Sequence, residues 1–472
     1  MASFNNYISF LILGTLSVFF TSCKKFVEVE PPISRMVTQT VFENAASATA
    51  AQTAIYTQME RNTESYNIAS YTGFLGDELM SWSTNADMIQ HYTNSITSQN
   101  PYSTRLWKNA YYYIYQANSI IEGVNDSKID TVVSKQLLGE AKFIRAYWHF
   151  YLTNLFGDIP IVISTDYNVN MGIFRSSQSE VYRQIKGDLT DAKNLLSSDY
   201  LNETSTITTM ERTRPTKWAA SALLARAYLY SGDYDNAILE SDAIIAKTDM
   251  YSLKSDLNDV FLKNSTEAIW QIQIPLPTTI NTADGANFIL RSTPGLGLLN
   301  NSTISTPLKN AFEINDKRKS NWTHDTTISG KTYTYPYKYK VYTGSIITEY
   351  SMILRLAELF LIRSEAQAEK NNISNAVADL NKIRNRAGLP DYSGLMDKDS
   401  VLDAIYHERR VELFTEWGHR WLDLIRTNTI DKVMNSAAPA KGGTWSHYKA
   451  LYPIPQSEIL INSNLKQNEG YQ

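Results

Sequence analysis

Few side chains in this sequence are able to do chemistry, and their spacing excludes more than it supports. The histidines, His91, His149, His324, His407, His419 and His447, never stand three or four apart. None forms a helical zinc pair, and His407-Glu408 lacks the second His of a zinc-protease motif. Cys23 is the single cysteine, which leaves no disulfide framework and no multi-cysteine metal site. No Gly-x-Ser-x-Gly elbow supports a serine hydrolase. Gly295-Leu296-Gly297 lacks the third glycine and the βαβ context of a dinucleotide site. No metal and no cofactor is expected.

Two constellations of charge remain. Asp77-Glu78, near Trp82, is a carboxylate pair that a glycosidase could use. General acid/base work needs two carboxyls about 5 to 9.5 Å apart across a substrate, and sequence neighbours seldom converge in that way. A capped or solvated loop is the simpler reading, so the chain reads as a non-enzyme. From Glu408 to Arg426, Glu408, Glu412 and Glu416 fall on one helix face, with Arg409 and Arg410 beside them. Gly418 would end that helix and let another begin. Arg409, Arg410, Arg420 and Arg426 could form an anion site. The acids balance the bases, which favours an ion-pair network fixing two helices.

The elements that must position these residues are mainly helical. A chain of 472 residues with 43% hydrophobic and 19% charged residues can build a full core. With 44 basic and 48 acidic residues the net charge is −4, so the footprint of a nucleic-acid binder is missing. Thr40 to Arg61, Tyr102 to Gly123 and Ser134 to Phe156 carry apolar residues at helical spacing, the last ending at Gly157-Asp158-Ile159-Pro160. Lys217 to Lys247 and Met352 to Ala387 read as helical hairpins of tetratricopeptide type, with small residues where helices approach. The region 270–348 differs, being rich in Pro, Gly, Asn, Ser and Thr, and reads as loops and short strands. Within it Tyr333, Tyr335, Tyr337 and Tyr339 alternate with Thr334, Pro336 and Lys338. That period of two puts the rings on one strand face, at an edge because Pro336 cannot donate to a ladder.

The N-terminus suggests a compartment. Ile8 to Phe20 is too short to span a bilayer, which takes about 20 apolar residues, and suits a signal peptide. It runs into Phe20-Thr21-Ser22-Cys23, which resembles a bacterial lipobox, although Met1 to Tyr7 holds no Lys or Arg and Phe20 replaces the usual Leu. Cys23 would carry the lipid, and several acyl chains anchor where one would not. Lys24 to Pro32 is charged and Pro-bearing, as a tether requires.

Four further passages resemble the SusD/RagB family of outer-membrane nutrient-binding lipoproteins. They are Ala141 to Pro160, Leu354 to Ala366, Glu408 to Leu424, and Leu451 to Ile459 with Asn462, Asn464, Gln467, Asn468, Gly470 and Tyr471. The resemblance implies a mainly α, SusD-like scaffold of tetratricopeptide-like hairpins with an irregular, ligand-facing loop and short-strand region. It implies a lipid anchor in the outer membrane, facing outward, and a SusC-like TonB-dependent β-barrel transporter as partner. It also implies oligosaccharide capture without catalysis, with a branch that takes peptides. The expected organisation is a signal peptide over 1–22, a lipidated tether over 23–34, and an N-terminal helical region over 35–269. The C-terminal region over 270–472 includes the 270–348 insertion.

The family motifs are scaffold and transfer no binding site, so physics nominates one. Sugars present apolar C–H faces and hydroxyl edges, which calls for exposed aromatics beside polar side chains. The 30 Tyr and 9 Trp supply more rings than a core needs. Trp82 with Asn85, Asp87 and Gln90, and Trp322 with His324, are the ligand-binding candidates. The alternatives are peptide capture on the same scaffold, hydrolysis through Asp77 or Glu78, and a ligand-free helical adaptor.

Overall fold

The computed structural model describes residues 40–276, 278–295 and 301–471. The expected signal peptide, Cys23 and the tether lie outside the described residues. Phe42–Gln472 forms one compact unit.

Local chemistry starts and stops the helices. Helix α1 covers Ala45–Arg61 and α2 covers Glu64–Leu75. Helix α3 is Ala86–Tyr92 and α4 is Pro101–Asn125. The Asn100 side chain accepts from the Tyr102 and Ser103 N–H groups at 3.0 and 3.3 Å, and Pro101 pre-sets the first turn of α4. Leu106, Trp107, Ala110, Tyr113, Ile114 and Ala117 of α4 are buried, the stripe that the sequence spacing predicts. Helix α5, Thr131–Phe156, stops at Gly157, whose φ of 79° suits glycine. Then come α6 (Gln178–Leu195), α7 (Lys217–Tyr230) and α8 (Tyr234–Ile245). After the inserted region follow α9 (Leu356–Glu369), α10 (Ile373–Arg386), α11 (Lys398–Leu413), α12 (His419–Arg426) and α13 (Ile430–Ala440).

From α4 to α11 each helix packs against the next, as in a stack of tetratricopeptide-like hairpins. Both sequence-predicted hairpins are present, α7–α8 and α9–α10. Helix α8 packs directly on α9, so the residues between them leave the stack and return at the same place. Strands β2 (Ala268–Ile272) and β6 (Ser351–Arg355) pair antiparallel and close the base of that excursion. The remaining strands are β1 (Leu79–Ser81), β3 (Ser302–Ile304), β4 (Thr323–Ile328) and β5 (Lys331–Pro336), pairing β1 with β3 and β4 with β5. The structure is mainly α, and short strands occur in the inserted region as expected.

Some helix ends differ from the sequence reading; α1, for one, begins at Ala45 behind its Asn44 cap rather than at Thr40. Met352 to Arg355 is strand β6, because β2 supplies ladder partners that a sequence window cannot contain. Helix α11 ends at Leu413, because Thr415, Trp417 and Gly418 take left-handed conformations at φ 54°, 47° and 76°. A Cβ on Gly418 would also meet Thr72 Oγ1 at 2.9 Å, so only glycine lets the turn lie against α2.

Glu416 therefore lies beyond the helix, yet it joins Glu408 and Glu412 in one buried network. Arg318 reaches Glu408 at 2.6 Å and Glu412 at 3.0 Å. Arg355 reaches Glu412 at 2.6 Å, Glu416 at 2.7 Å and Glu267 at 3.0 Å. Arg386 bonds Glu267 at 3.0 Å and also Glu412, and Lys338 pairs with Glu416. Burial opposes the charge on Glu412, but the Arg386, Arg355 and Arg318 guanidiniums hold its carboxyl well below the usual range. The network joins the inserted region (Arg318, Lys338) and its closing strands to helices α10 and α11.

The other arginines of the signature segment are paired too. Arg409 meets Asp423 at 2.8 Å, Arg426 meets Glu365 at 2.5 Å, and Arg410 and Arg420 meet Asp77 at 2.7 and 2.9 Å. They form the ion-pair network that the charge balance favours, and leave no free anion site among these four. The closing motif returns to the end of α5: Tyr452 N–H donates to Leu155 O at 2.7 Å, and Asn468 Nδ2 to Phe156 O at 2.9 Å.

Glu412→Ala would take one carboxylate away from three buried guanidiniums at once, each left with fewer acids than its charge is packed against. Removing one partner of a buried ion pair costs about 3–5 kcal/mol. The expected result is a lower urea midpoint at unchanged m-value; an unshifted midpoint would contradict the role given to the network.

Candidate functional site

The inserted region builds its most regular piece from alternation. Thr and Tyr residues favour a pleated strand, and Ser329 and Gly330, both at positive φ (51° and 78°), make the two-residue turn that such a hairpin prefers. The resulting β4–β5 ribbon pairs His324 with Tyr335, Asp325 with Thr334 and Thr326 with Tyr333. One face thus carries His324, Thr326, Ile328, Lys331, Tyr333 and Tyr335. The other carries Asp325, Thr327, Thr332 and Thr334. Pairing ends at Pro336, as a residue without an N–H requires.

The aromatic face packs against Trp82, Ile289 and Leu290, with Tyr337 and Tyr342 joining the cluster. Tyr333 and Tyr335 are buried, whereas Trp82, Tyr337 and Tyr342 are half-buried and His324 is exposed. Burial pushes the Tyr335 hydroxyl up to about 12, so it stays a neutral donor. Tyr339 continues the alternation in sequence but leaves the row, packing instead with Trp322 and Phe261. The Tyr row is therefore a packed strand face with a half-exposed margin.

Trp82 is less bare than the sequence suggests. Its indole N–H donates to Thr303 Oγ1 at 2.9 Å, Tyr333 meets its ring edge-on at 5.3 Å, and the Lys331 ammonium stands 4.3 Å from the ring centroid. Lys331 is exposed, so its side chain can yield to a ligand at small cost.

The residues expected around Trp82 serve the backbone instead. Residues 71–75 complete α2, and Asn85 caps α3, its Oδ1 accepting from the Asp87 and Met88 N–H groups at 2.9 and 3.0 Å. Asp87 lies in the first turn of α3, where a negative charge suits the helix dipole. Gln90 accepts from Asn100 Nδ2 at 3.0 Å and from Thr97 N–H at 3.3 Å. Their polar character is accounted for by helix ends and by the α3–α4 connection.

Trp322 is a correction. It is 0% exposed, in a core with Phe261, Leu308 and Phe414. Its N–H donates to Leu257 O at 2.9 Å, and the Lys338, Arg386 and Arg355 cations stand 4.8, 5.7 and 5.8 Å from its ring. Covered by the ion network, it cannot touch a ligand. His324 remains exposed, with Tyr337 and Tyr335 at 5.0 and 5.5 Å. The structure thus places Trp82 and His324 on one face of the ribbon and removes Trp322. Neither Tyr337, a member of the period-two row, nor Tyr342 is among the ligand-binding candidates read from sequence; the row itself is the available signal.

A cleft of about 590 Å³ borders the opposite face, lined by Lys309, Phe312, Lys317, Lys319, Asp325 and Thr334 among others. Lys309 Nζ donates to Thr334 Oγ1 at 2.8 Å, and the Thr334 hydroxyl bonds Asp325.

Asp77 and Glu78 are not arranged for hydrolysis. Both are buried, and Asp77 is clasped by Arg420 and Arg410, which hold its carboxyl below the usual range despite burial. Burial, with the Asp77 charge beside it, pushes Glu78 up to about 7. A carboxyl raised on folding stabilises fully below its unfolded value near 4.5, and that stability is lost as pH rises towards 7. Glu78→Gln is therefore expected to flatten the fall in stability between about pH 4.5 and 7, by at most about 3 kcal/mol. Urea midpoints measured across pH check this; an unchanged slope would refute it.

Comparisons with known proteins agree with this architecture. A family model described as "Starch-binding associating with outer membrane" matches residues 25–229, and one described as "SusD family" matches residues 305–471. SusD-like protein P25 of Formosa agariphila is 24% identical, covering 95% of this chain and 97% of its own length. A SusD superfamily protein from Bacteroides vulgatus superposes with a TM-score of 0.80 at 21% identity, covering 91% of this chain and 100% of its own. A laminarin binding SusD-like protein superposes at 0.70 with 20% identity, covering 90% and 99%. With the stacked hairpins and the paired signature segment already described, these matches identify the chain as a member of the SusD/RagB family, a family of starch- and glycan-binding proteins associated with the outer membrane and not of enzymes.

Proposed function

We propose that this protein is a non-catalytic cell-surface lipoprotein that captures an oligosaccharide and delivers it to a SusC-like TonB-dependent outer-membrane transporter. In this reading Cys23 carries the lipid, residues 24–34 tether the body, and the protein faces the exterior. No described helix is long and apolar enough to cross a membrane. The regions 35–269 and 270–472 act as one receptor body, the first supplying Trp82 and the second the ribbon.

The observation that carries the reading is the aromatic margin of the β4–β5 ribbon. Trp82, Tyr337 and Tyr342 are half-buried there and His324 is exposed, around a packed Tyr333–Tyr335 base. Rings fixed from below but open above suit the C–H faces of a sugar and lose little freedom on binding. The laminarin binding relative, similar over nearly its whole length, supports a glycan as the ligand class.

Trp82→Ala should weaken glycan binding by about 1–3 kcal/mol, the scale of a central aromatic contact. Isothermal calorimetry with the polysaccharide that retards the protein in affinity gels reads this. An unchanged isotherm would take Trp82 out of the site, and retention only by peptides would replace the glycan reading. Cys23→Ala should abolish acylation and empty the outer-membrane fraction; the variant's persistence there would refute the anchor.

A further inference from the structure

The cleft on the threonine face of the ribbon has a charge that its surroundings do not cancel. Lys309, Lys317 and Lys319 line it, with His324 at its border. Among the described residues neither Lys317 nor Lys319 forms an ion pair, and both are exposed. Two acids also line the cleft. Asp316 is buried and bound to Arg318 at 2.8 Å, which neutralises it. Asp325 accepts from the Thr334 hydroxyl and stands 3.9 Å from Lys309. Two ammonium groups are left over, in a chain whose net charge is −4. The excess is therefore local to the cleft.

The rest of the lining suits a sugar. Ile304 and Phe312 give an apolar floor, and Asn315 and Ser320 offer groups that hydrogen-bond hydroxyls. A neutral oligosaccharide in this space would partly desolvate Lys317 and Lys319 without giving either a counter-charge, which is unfavourable. Anionic substituents on the rings would supply the missing partners through charge-assisted hydrogen bonds.

We infer that this cleft binds an acidic oligosaccharide, one bearing carboxylate or sulfate groups, with Lys317 and Lys319 reading the negative charge. The inference rests on the glycan-capture reading and gives it a ligand class. It adds a charge-reading subsite on the ribbon face opposite the one that packs against Trp82.

The test uses the full-length protein in affinity electrophoresis and calorimetry with laminarin, polygalacturonate and a sulfated galactan. The neutral, carboxylated and sulfated arms distinguish the possible sources of charge. One of the two acidic polymers is expected to bind at least about tenfold more tightly than laminarin, with affinity falling as salt rises. Lys317→Ala with Lys319→Ala should cost about tenfold or more on that polymer, while Lys317→Arg with Lys319→Arg retains binding. Laminarin bound as tightly as both acidic polymers, or acidic binding untouched by the double alanine variant, would overturn the inference. Binding of laminarin alone, lost in Trp82→Ala, would overturn it while leaving the glycan reading intact. Binding of none of the three polymers would overturn the inference.

Discussion

Glu412 accepts from three guanidiniums at once, and the architecture converges on that carboxylate. Arg318 comes from the inserted region, Arg355 from the end of β6 and Arg386 from the end of α10. Each charge taken out of water is expensive to bury, and only simultaneous pairing makes the arrangement tolerable. The consequence is geometric. A helical stack and a long excursion of irregular chain must meet in one register, or several buried charges are left unpaired. Such a network contributes little net stability compared with a well-packed apolar core, but it penalises misplacement heavily. That suits a body whose loops must hold a binding surface while carrying little regular structure of their own.

The ribbon gains its rigidity from this arrangement. Trp322 immediately precedes β4, and its ring lies beneath Lys338, Arg355 and Arg386 while its N–H is fixed by Leu257. One strand of the ribbon thus starts from an anchored aromatic. Pro336 ends the other, and Lys338, two residues on, pairs with Glu416. Both ends are therefore tied to the charge network, while the turn at Ser329-Gly330 projects away from it. A surface fixed at its base and free at its margin can bind without a large ordering cost.

Asp77 shows how the same residues can suggest catalysis and do something else. Two adjacent carboxyls, one held low and one pushed up, resemble the division of labour in an acid/base pair. Here the low one is Asp77, clasped by Arg410 and Arg420, and the high one is Glu78, buried behind it. The asymmetry comes from joining the α2–β1 connection to α11 and α12, and both carboxyls are buried rather than presented to a substrate.

Much of the frame was legible from local rules. Apolar spacing located α4, α5 and the two hairpins, because a helix face is decided by residues three and four apart. Thr and Tyr alternation points to β5 for the same local reason, although it carries the row on to Tyr339 whereas the strand stops at Pro336. The fate of single polar and aromatic residues was not legible. Asn85 caps α3 and Gln90 braces the α3–α4 connection, roles the sequence does not separate from ligand contact, since a capping amide and a sugar-binding amide are the same group in sequence. Trp322 reads as exposed from its sequence neighbours yet is fully buried, because its partners at 257, 338, 355 and 386 lie in no common window. The sequence by itself determined the helices, the turn chemistry and the balance of acids and bases, all short-range or summed properties. Only the tertiary structure decided which rings face water and which charges remain unpaired, because burial is set by contacts between segments that local periodicity does not connect.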